Sequence, residues 1–587
     1  MRYIWSGIVL LLLAWGGTLP VFGGVISGVT VHNFSPGEYR AKRQNWSFVQ
    51  DNRGLMYAAN SGGVLEFDAV EWRLLPLPGG GGAYSLARDP NGRIYVGGEK
   101  EIGYLEVDDR GVMQYRSLFA KIPPEYRDFG GRVVQVGFIP GGNVFLFERL
   151  LVIFEGEQVT AFTAEDHFYA FIYACGSLYI IDDNRGLLQY QDGKLLDVPG
   201  GGLVRAYVML PYNGDKILLV TTQEGPFIFA PRDKQNPFTP YNTHPTDFFS
   251  GNLVSCGLIL EDETLVLGSI EKGIAVFDKQ GNQVAHITHT GAGEGLQDRH
   301  VYGLYRDKDG DLWAGLEQGI SLLSSALFLA GKTLNGAAKG TIGTTGAAGT
   351  TGTTGTAGTT RPSIPFAAFV RGCRNPNDDS LVFGGGYYNP GDRIQSFKQD
   401  QGQVPSFAYA YNGFRFIFGC NRYREIAKIM YSSYLEGLDR GWSDWTGRNE
   451  REYTNLGWGE YTLRVRAKDE LGEISREAAY IFRIKPPWYE TYWFLAGQIV
   501  FIMMVLAMSR LLKDTGLAPQ MSEKLVIFAV VIIFEYVNGV IGPLIGRYSD
   551  GIAFFGMIMT GVMSFIISPA QEFVTNILNK ITRVKSS

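Results

Sequence analysis

The sequence has few cysteines, and their spacing excludes two kinds of site. The 587 residues include four cysteines, Cys175, Cys256, Cys373 and Cys420, with no Cys-x-x-Cys pair. A structural zinc site or a thioredoxin-like redox site is therefore not expected. Cys373 and Cys420 fall in one predicted domain, where they either form a disulfide or remain buried free thiols.

Histidine and positive charge are also scarce. Of six histidines, His286 and His289 stand closest to each other, but a spacing of three on a strand places them on opposite faces. The net charge of -5 and the pI near 5.8 give no basic surface for nucleic acid, so no nucleic-acid partner is expected.

Signatures of catalysis are missing as well. There is no Gly-x-Ser-x-Gly segment. Paired carboxylates for glycoside hydrolysis remain open, because 58 acidic residues always allow some pairing in space. We expect no enzyme, no catalytic residue, no metal and no cofactor.

Glycine and aromatic residues, in contrast, are plentiful. The chain has 76 glycines and 13% aromatic residues, which favours β-structure with many turns of positive φ. Its length exceeds one hydrophobic core and indicates about three or four domains.

A repeated unit runs through residues 49–323. Each copy has a short apolar strand, a polar turn that often contains Asx-Gly, an aromatic-rich strand and then a further strand. Such turns connect hairpins, and several strands per repeat are typical of a β-propeller. We therefore predict a seven-bladed propeller over residues 40–330, with turns that begin at Asp51, Asp89, Pro140, Ala174, Tyr212, Glu261 and Asp307.

The last copy resembles the two-component-regulator propeller repeat, which is commonest in periplasmic sensors of hybrid two-component systems. Its alternating aspartates at 307, 309 and 311 also suit a calcium ion, but no bidentate glutamate follows at the EF-hand spacing and a turn explains all three. The residues that carry the resemblance include Asp307, Asp309, Gly310, Trp313 and Gly315.

Residues 331–362 form a predicted linker. Nearly all of 337–360 is Gly, Thr or Ala, a composition that cannot bury a core and predicts a flexible segment. A phosphate-binding loop would need Gly-Lys-Ser/Thr, which does not follow.

Residues 363–487 contain strands of alternating apolar and polar residues, which predict an immunoglobulin-like antiparallel sandwich. The segment resembles the triple-tyrosine domain of the same sensors, where it is a spacer and dimerisation element; a homodimer is implied. For Trp442 and Trp445, stacking on a sugar and packing in a core or corner both stay open. The resemblance rests on Tyr434, Gly437, Leu438, Trp442, Trp445, Tyr453, Tyr461, Pro487, Trp488 and Tyr489.

Both ends of the chain carry apolar segments. Residues 1–23 read as a secretory signal peptide, with an uncleaved anchor as the alternative. Residues 488–587 form a membrane domain with spans at 491–512, 525–544 and 551–567, the third interrupted by Pro569. Lysine and arginine distribution places the C-terminus in the cytoplasm and the propeller and sandwich on the other side of the membrane. The resemblance to periplasmic sensors implies a bacterial inner membrane, with propeller and sandwich in the periplasm.

Glu535 lies in the second predicted span, where a carboxyl group is costly. It either bonds across helices of a dimer, is protonated and inert, or belongs to a relay. These spans are weakly similar to those that precede LytTR-type DNA-binding outputs.

The sequence thus predicts a membrane-anchored receptor for an extracytoplasmic ligand, with a glycan fragment implied by the resemblance. No phosphoaccepting histidine helix, ATP-binding glycine box, receiver aspartates or helix-turn-helix is found, so a separate cytoplasmic kinase or transcriptional regulator would act as the partner. The alternatives are a membrane-tethered propeller enzyme such as a polysaccharide lyase, and a truncated receptor that no longer signals.

Overall fold

The computed structural model describes residues 29–202, 204–221, 225–245, 247–289, 295–325, 328, 344–345, 364–514, 521, 524–533, 569, 572–573 and 576. The predicted signal peptide, Glu535, the third predicted span and all of the predicted linker except Thr344–Thr345 lie outside these residues. The chain divides into two compact units, of which the first holds the propeller and most of the sandwich.

Six blades of the propeller are built from consecutive strands. Each is an antiparallel sheet of four strands, and the inner strands of successive blades adjoin one another around a central channel. The blades comprise β2 (Asn45–Gln50), β3 (Met56–Asn60), β4 (Gly63–Phe67) and β5 (Trp72–Leu75); β6 (Ala83–Arg88), β7 (Ile94–Gly98), β8 (Ile102–Val107) and β9 (Met113–Ser117); β10 (Val133–Ile139), β11 (Gly142–Phe147), β12 (Leu150–Glu155) and β13 (Gln158–Thr163); β14 (Phe168–Ala174), β15 (Ser177–Asp182), β16 (Gly186–Gln191) and β17 (Lys194–Asp197); β18 (Ala206–Tyr212), β19 (Lys216–Thr221), β20 (Pro226–Phe229) and β21 (Phe238–Pro240); and β22 (Val254–Ile259), β23 (Leu265–Ser269), β24 (Ile274–Phe277) and β25 (Gln283–Ile287).

The seventh blade closes the ring with the start of the chain. It contains β26 (Val301–Arg306), β27 (Leu312–Leu316) and β28 (Gly319–Ser325), and its outer strand is β1 (Val29–Phe34), which pairs antiparallel with β28. A short helix, α1 (Pro36–Tyr39), then leads into the first blade. The described part of the propeller therefore includes Val29–Phe34, a closing strand that lies before the predicted boundary at residue 40.

Blades pack on each other through strands that are apolar on both faces. In β11, Val144 and Leu146 face the core shared with the fourth blade, while Phe145 and Phe147 face the core shared with the second. Alternating side chains on a strand point to opposite faces, so a middle blade needs apolar residues in continuous runs.

Of the Gly/Thr-rich segment, β29 (Thr344–Thr345) pairs with the channel edge of β22, opposite Gly257 and Leu258.

The second domain of this unit is an antiparallel sandwich. One sheet has the order β31-β30-β35-β37 and the other contains β39-β38-β36, with a small hairpin of β32 and β33. These strands are β30 (Ala368–Arg374), β31 (Leu381–Phe383), β32 (Tyr387–Tyr388), β33 (Gln395–Ser396), β35 (Phe414–Cys420), β36 (Met430–Glu436), β37 (Glu450–Tyr453), β38 (Gly459–Lys468) and β39 (Ala478–Ile484).

The cysteines of the sandwich do not form a disulfide. Cys373 in β30 lies opposite Phe416 in β35, whereas Cys420 lies opposite Ala368, so the two stand near opposite ends of the paired strands. Both are buried free thiols, and burial raises the pKa of Cys420 to about 11. The free-thiol alternative is the one that the fold allows.

The second unit contains residues 406–412, 457–459 and 484–587. It holds β34 (Ser406–Phe407) and a helix, α2 (Tyr492–Asp514), within which Tyr492–Leu512 is long and apolar enough to cross a membrane. A shorter apolar helix, α3, spans Lys524–Ile533. Among the described residues, one helix thus meets the length of a membrane span.

Candidate functional site

The turn of the seventh blade is held by the carboxylate of Asp307. Its Oδ1 accepts hydrogen bonds from the backbone N–H groups of Asp309 and Asp311, both at 2.9 Å, and its Oδ2 accepts from Trp313 Nε1 at 3.0 Å. Gly310 takes the positive φ of 90° that this turn requires. Burial, together with the carboxylates of Asp311 and Asp309, raises the pKa of Asp307 to about 7.

The other two carboxylates of this turn meet arginines of the sandwich. Arg424 donates to both carboxylate oxygens of Asp311. Its Nε lies 2.8 Å from Oδ1 and 2.7 Å from Oδ2, and its Nη2 lies 2.6 Å from Oδ1. Asp309 pairs with Lys308 at 2.7 Å and lies 4.0 Å from Arg422. These hydrogen bonds and ion pairs make the three aspartates part of a turn and a docking contact. Among the described residues, no group of three or more His, Cys, Asp or Glu is arranged to hold a metal ion.

Trp313 fills the space between the first blade, the seventh blade and the sandwich. It is fully buried and stacks on Phe34 at 5.8 Å between ring centroids, while Tyr423 of the sandwich meets it edge-on at 5.2 Å. Gly315 lies where the seventh blade touches the first, since a Cβ there would be 2.5 Å from the carbonyl oxygen of Asn45. This part of the repeat motif therefore joins blades to each other and to the sandwich.

A buried ionic cluster extends this junction across the first blade. Arg371 of the sandwich donates from Nε to Asp68 at 3.0 Å and places Nη2 2.7 Å from Glu66. Arg53 of the blade pairs with Asp51 at 2.9 Å and lies 3.7 Å from Glu66. All five side chains are at most 5% exposed.

A sixth side chain, Arg73, is 25% exposed and lies 3.7 Å from Asp68, and with it the cluster is neutral as a whole, which favours the burial of so many charges. Burial opposes the ionised form of Glu66, but Arg371, Arg73 and Arg53 outweigh it and lower its pKa to about 2. Burial likewise opposes the charge of Arg371, yet Glu66 and Asp68 raise its pKa. Three cations balance three anions: Arg53, Arg73 and Arg371 against Asp51, Glu66 and Asp68.

Backbone contacts complete the docking. Gly384 and Gly386 donate their N–H groups to the carbonyls of Arg110 and Gly111 in the second blade, both at 2.8 Å. Tyr423 donates its hydroxyl to the carbonyl of Gly54 in the first blade at 2.7 Å. The sandwich therefore sits on the turns of the seventh, first and second blades.

The aromatic residues of the triple-tyrosine motif have separate roles within the sandwich. Tyr461 is buried and stacks on Phe482 at 5.5 Å. Tyr453 donates its hydroxyl to Asp439 at 2.8 Å, and Asp439 also accepts from the backbone of Leu435 at 2.9 Å. Asp439 follows Gly437, whose φ of 93° makes the turn possible, and exposed Leu438.

Trp442 and Trp445 are half-buried on the outer side of β38, not in the core. The Arg466 guanidinium lies over the Trp442 ring at 4.1 Å and over Trp445 at 4.9 Å, and Lys468 lies over Trp445 at 4.6 Å. Tyr434 borders Trp442 at 6.0 Å. Cation–π contacts thus hold both indoles against the outer face of β38.

The membrane-entry motif belongs to the second unit. Pro487 precedes a short 3-10 turn, Trp488–Glu490, and Trp488 is 71% exposed, with its ring edge-on to Phe494 at 4.9 Å. Tyr489 lies in the same turn. Glu490 accepts a hydrogen bond from Trp458 Nε1.

The residues picked from the sequence therefore fall in three places: the turn of the seventh blade, the sandwich and the membrane entry. Sequence reasoning missed the ionic cluster. Two signals were available in the sequence: Arg371 directly follows the apolar residues Phe369 and Val370, and Glu66 lies within Val64–Phe67. Both are charged residues inside strands that are otherwise buried.

Two families match the chain. Residues 295–318 match the two component regulator propeller and residues 427–485 match the Y_Y_Y domain. No curated protein sequence matches it.

A solved structure shares the fold, and two further ones are similar at lower TM-scores. The extracellular domain of BT4673 from B. thetaiotaomicron, assigned to a one-component system, is 13% identical, with a TM-score of 0.52 over 78% of this chain and 100% of that chain. A second BT4673 structure, assigned to a hybrid two-component system, is 12% identical, with a TM-score of 0.40 over 78% of this chain and 60% of that one. The extracellular domain of BT3049 from B. thetaiotaomicron, also assigned to a hybrid two-component system, is 14% identical, with a TM-score of 0.25 over 78% of this chain and 80% of that chain. The chain thus carries two component regulator propeller and Y_Y_Y domains, on the fold of the BT4673 extracellular domain.

Proposed function

We propose that the protein is a membrane-anchored extracytoplasmic sensor that binds a glycan fragment and signals through a separate cytoplasmic kinase or regulator. The observation that carries this is the buried ionic cluster around Arg371, which fastens the sandwich to the propeller. Side chains buried and paired on both sides of a junction resist sliding, so a ligand that changes the propeller also changes the position of the sandwich.

The sandwich is the element placed to pass such a change onward. It is followed in the chain by the apolar helix Tyr492–Leu512. In this proposal the propeller and sandwich lie in the periplasm, the helices cross the inner membrane, and two copies pair through their sandwiches, as in the sensors that the sequence resembles. A ligand acts by favouring one arrangement of the pair over another.

The test is the transcriptional response of the native cell to single glycans. We expect a set of transcripts that responds to one glycan in the wild type, is lost on deletion, and returns with the wild-type chain but not with Arg371→Ala at matched abundance. A response that persists in the deletion strain would contradict the sensor role.

The rival class is an enzyme, for which the assay is direct. The full-length protein in detergent is incubated with polysaccharides, and unsaturated products are followed by ultraviolet absorbance. Turnover by the purified chain would replace the sensor proposal with a lyase, whereas saturable binding without product supports the sensor.

A further inference from the structure

Each inner strand of the propeller has a β-bulge at the same position, near its first residue. The register of the inner strand with its neighbour skips one residue there in every blade. A bulge re-aims the side chain of the skipped residue. The skipped residues are Trp46, Tyr84, Val134, Tyr169, Tyr207, Ser255 and Tyr302.

The aromatic members of this set form two arcs. In the first, Trp46 stacks on Tyr302 at 4.3 Å and meets Tyr84 edge-on at 5.3 Å. In the second, Tyr169 and Tyr207 lie 4.6 Å apart. All five are partly exposed, although most neighbours on their strands are buried. We call these five residues the aromatic mouth.

The two arcs belong to blades on opposite sides of the ring. The first arc belongs to the seventh, first and second blades, and the second arc to the fourth and fifth. In a ring of seven, the first blade stands opposite the fourth and fifth. The positions between the arcs hold the smaller Val134 and Ser255.

The aromatic mouth is on the side of the propeller away from the sandwich. Trp46 lies near the start of β2, and the turn after β2, at Asp51–Gly54, is the one that meets the sandwich. The same holds for Tyr302 near the start of β26, whose far end leads to Asp307. Nothing among the described residues of the sandwich contacts these five rings.

Polar groups at the rim are arranged to bind hydroxyl groups. Tyr302 donates to Glu317 at 2.5 Å, and Gln44 Nε2 donates to the same carboxylate at 2.8 Å. Tyr169 donates to Asp183 at 2.7 Å, and Arg205 lies 3.4 Å from that carboxylate. A carboxylate has about four lone-pair positions and keeps acceptor capacity after such contacts.

Charges at the rim are mixed in sign. The Arg132 guanidinium lies 5.0 Å from the Trp46 ring and 5.5 Å from the Tyr84 ring, and pairs with Glu148 at 3.2 Å. Burial and hydrogen bonding to carboxylates raise the pKa of Tyr302 and of Tyr169, which keeps both hydroxyls neutral. A rim of this kind gives no single-sign field to attract a polyanion.

We propose that the aromatic mouth is the ligand site of the sensor and that it takes a neutral sugar ring, an inference that rests on the proposed function. The flat C–H face of the ring stacks on the partly exposed aromatic rings, and its hydroxyls donate to Glu317 and Asp183 and accept from Arg132 or Arg205.

Calorimetry of the full-length protein in detergent micelles tests the site. The probes are cellohexaose, xylohexaose and maltohexaose, with a galacturonic acid hexamer as the anionic comparison. We expect at least one neutral probe to bind, and Trp46→Ala and Tyr207→Ala each to weaken it at least tenfold. Tyr104→Ala, on the third strand of the second blade, is the matched control and should bind within about threefold of wild type.

Three outcomes would overturn the proposal. These are no binding of any neutral probe, tighter binding of the galacturonic acid hexamer, and a neutral probe that binds both alanine variants as well as the wild type. Binding that survives both variants leaves the sensor role intact, because the transcriptional response of the cell is scored separately.

Discussion

The two faces of the propeller differ in how they treat polar and aromatic side chains. On the face that meets the sandwich, Arg371, Glu66 and Trp313 are almost completely buried and their polar groups are paired within the protein. On the opposite face, Trp46 and Tyr207 remain partly exposed around the channel. The first face is built for a permanent intramolecular contact, and the second leaves aromatic surface available to another molecule.

The largest difference in stability should appear when a tryptophan is replaced by alanine on one face and, separately, on the other. Trp313→Ala removes a fully buried indole and leaves Asp307 without one donor, so we expect about 4–5 kcal/mol of destabilisation. Trp46 is partly exposed, so Trp46→Ala removes less buried apolar surface and should lower the free energy of unfolding by about 1 kcal/mol. Thermal unfolding of the full-length chain, followed by circular dichroism, gives both values. Equal losses in Tm would remove the distinction between the faces.

Arg371→Ala should cause the next largest loss of stability, after Trp313→Ala. It leaves Glu66 and Asp68 buried without their nearest cation, and breaking one side of such a pair costs about 3–5 kcal/mol. The same melting experiment measures the loss. Arg483→Ala, which removes an exposed partner of Glu460 in the sandwich, is the control and should change stability by less than about 1 kcal/mol. If the two variants melt together, the cluster does not hold the junction.

The acid stability of the protein should depend on Glu66. Its pKa is lowered to about 2, so the stabilisation is complete above its ordinary value of 4.5 and is lost as the pH falls through about 2. That difference corresponds to roughly 3 kcal/mol. The Tm gap between wild type and Glu66→Gln should therefore be wide at pH 6 and narrow towards pH 2. A gap that does not change with pH would mean that Glu66 is not ionised in the folded protein.

The blades could be predicted from the sequence because their turns are local. Segments such as Asp89–Gly92 and Asp307–Gly310 indicate a hairpin turn within a few residues of sequence. The closing strand β1 could not be read this way, since its partner Ser325 lies at the other end of the propeller. The junction was missed for the same reason: Arg371 meets Asp68 across 303 positions of sequence.

The aromatic mouth was hidden by a different cause. Trp46 and Tyr302 look like ordinary members of alternating strands, and only the register with the next strand reveals the bulge at each of them. Trp442 and Trp445, which stood out in the sequence, are instead covered by Arg466 and Lys468.

The smallest effect is expected at the edge of the docked face, where Arg393 of the sandwich pairs with Asp109 of the second blade at 2.5 Å. The distance is shorter than that between Arg371 and Glu66, and the hydrogen bond lowers the pKa of Asp109. However, Asp109 is 80% exposed, so water and salt screen the attraction and we expect no measurable change in Tm for Asp109→Ala at physiological ionic strength. Asp68→Ala, the buried counterpart, should melt well below it. A large loss of Tm for Asp109→Ala would mean that the rim holds the sandwich in place. If Asp68→Ala instead melts well below Asp109→Ala, the junction is stabilised by buried charges that compensate one another, not by the number of ion pairs.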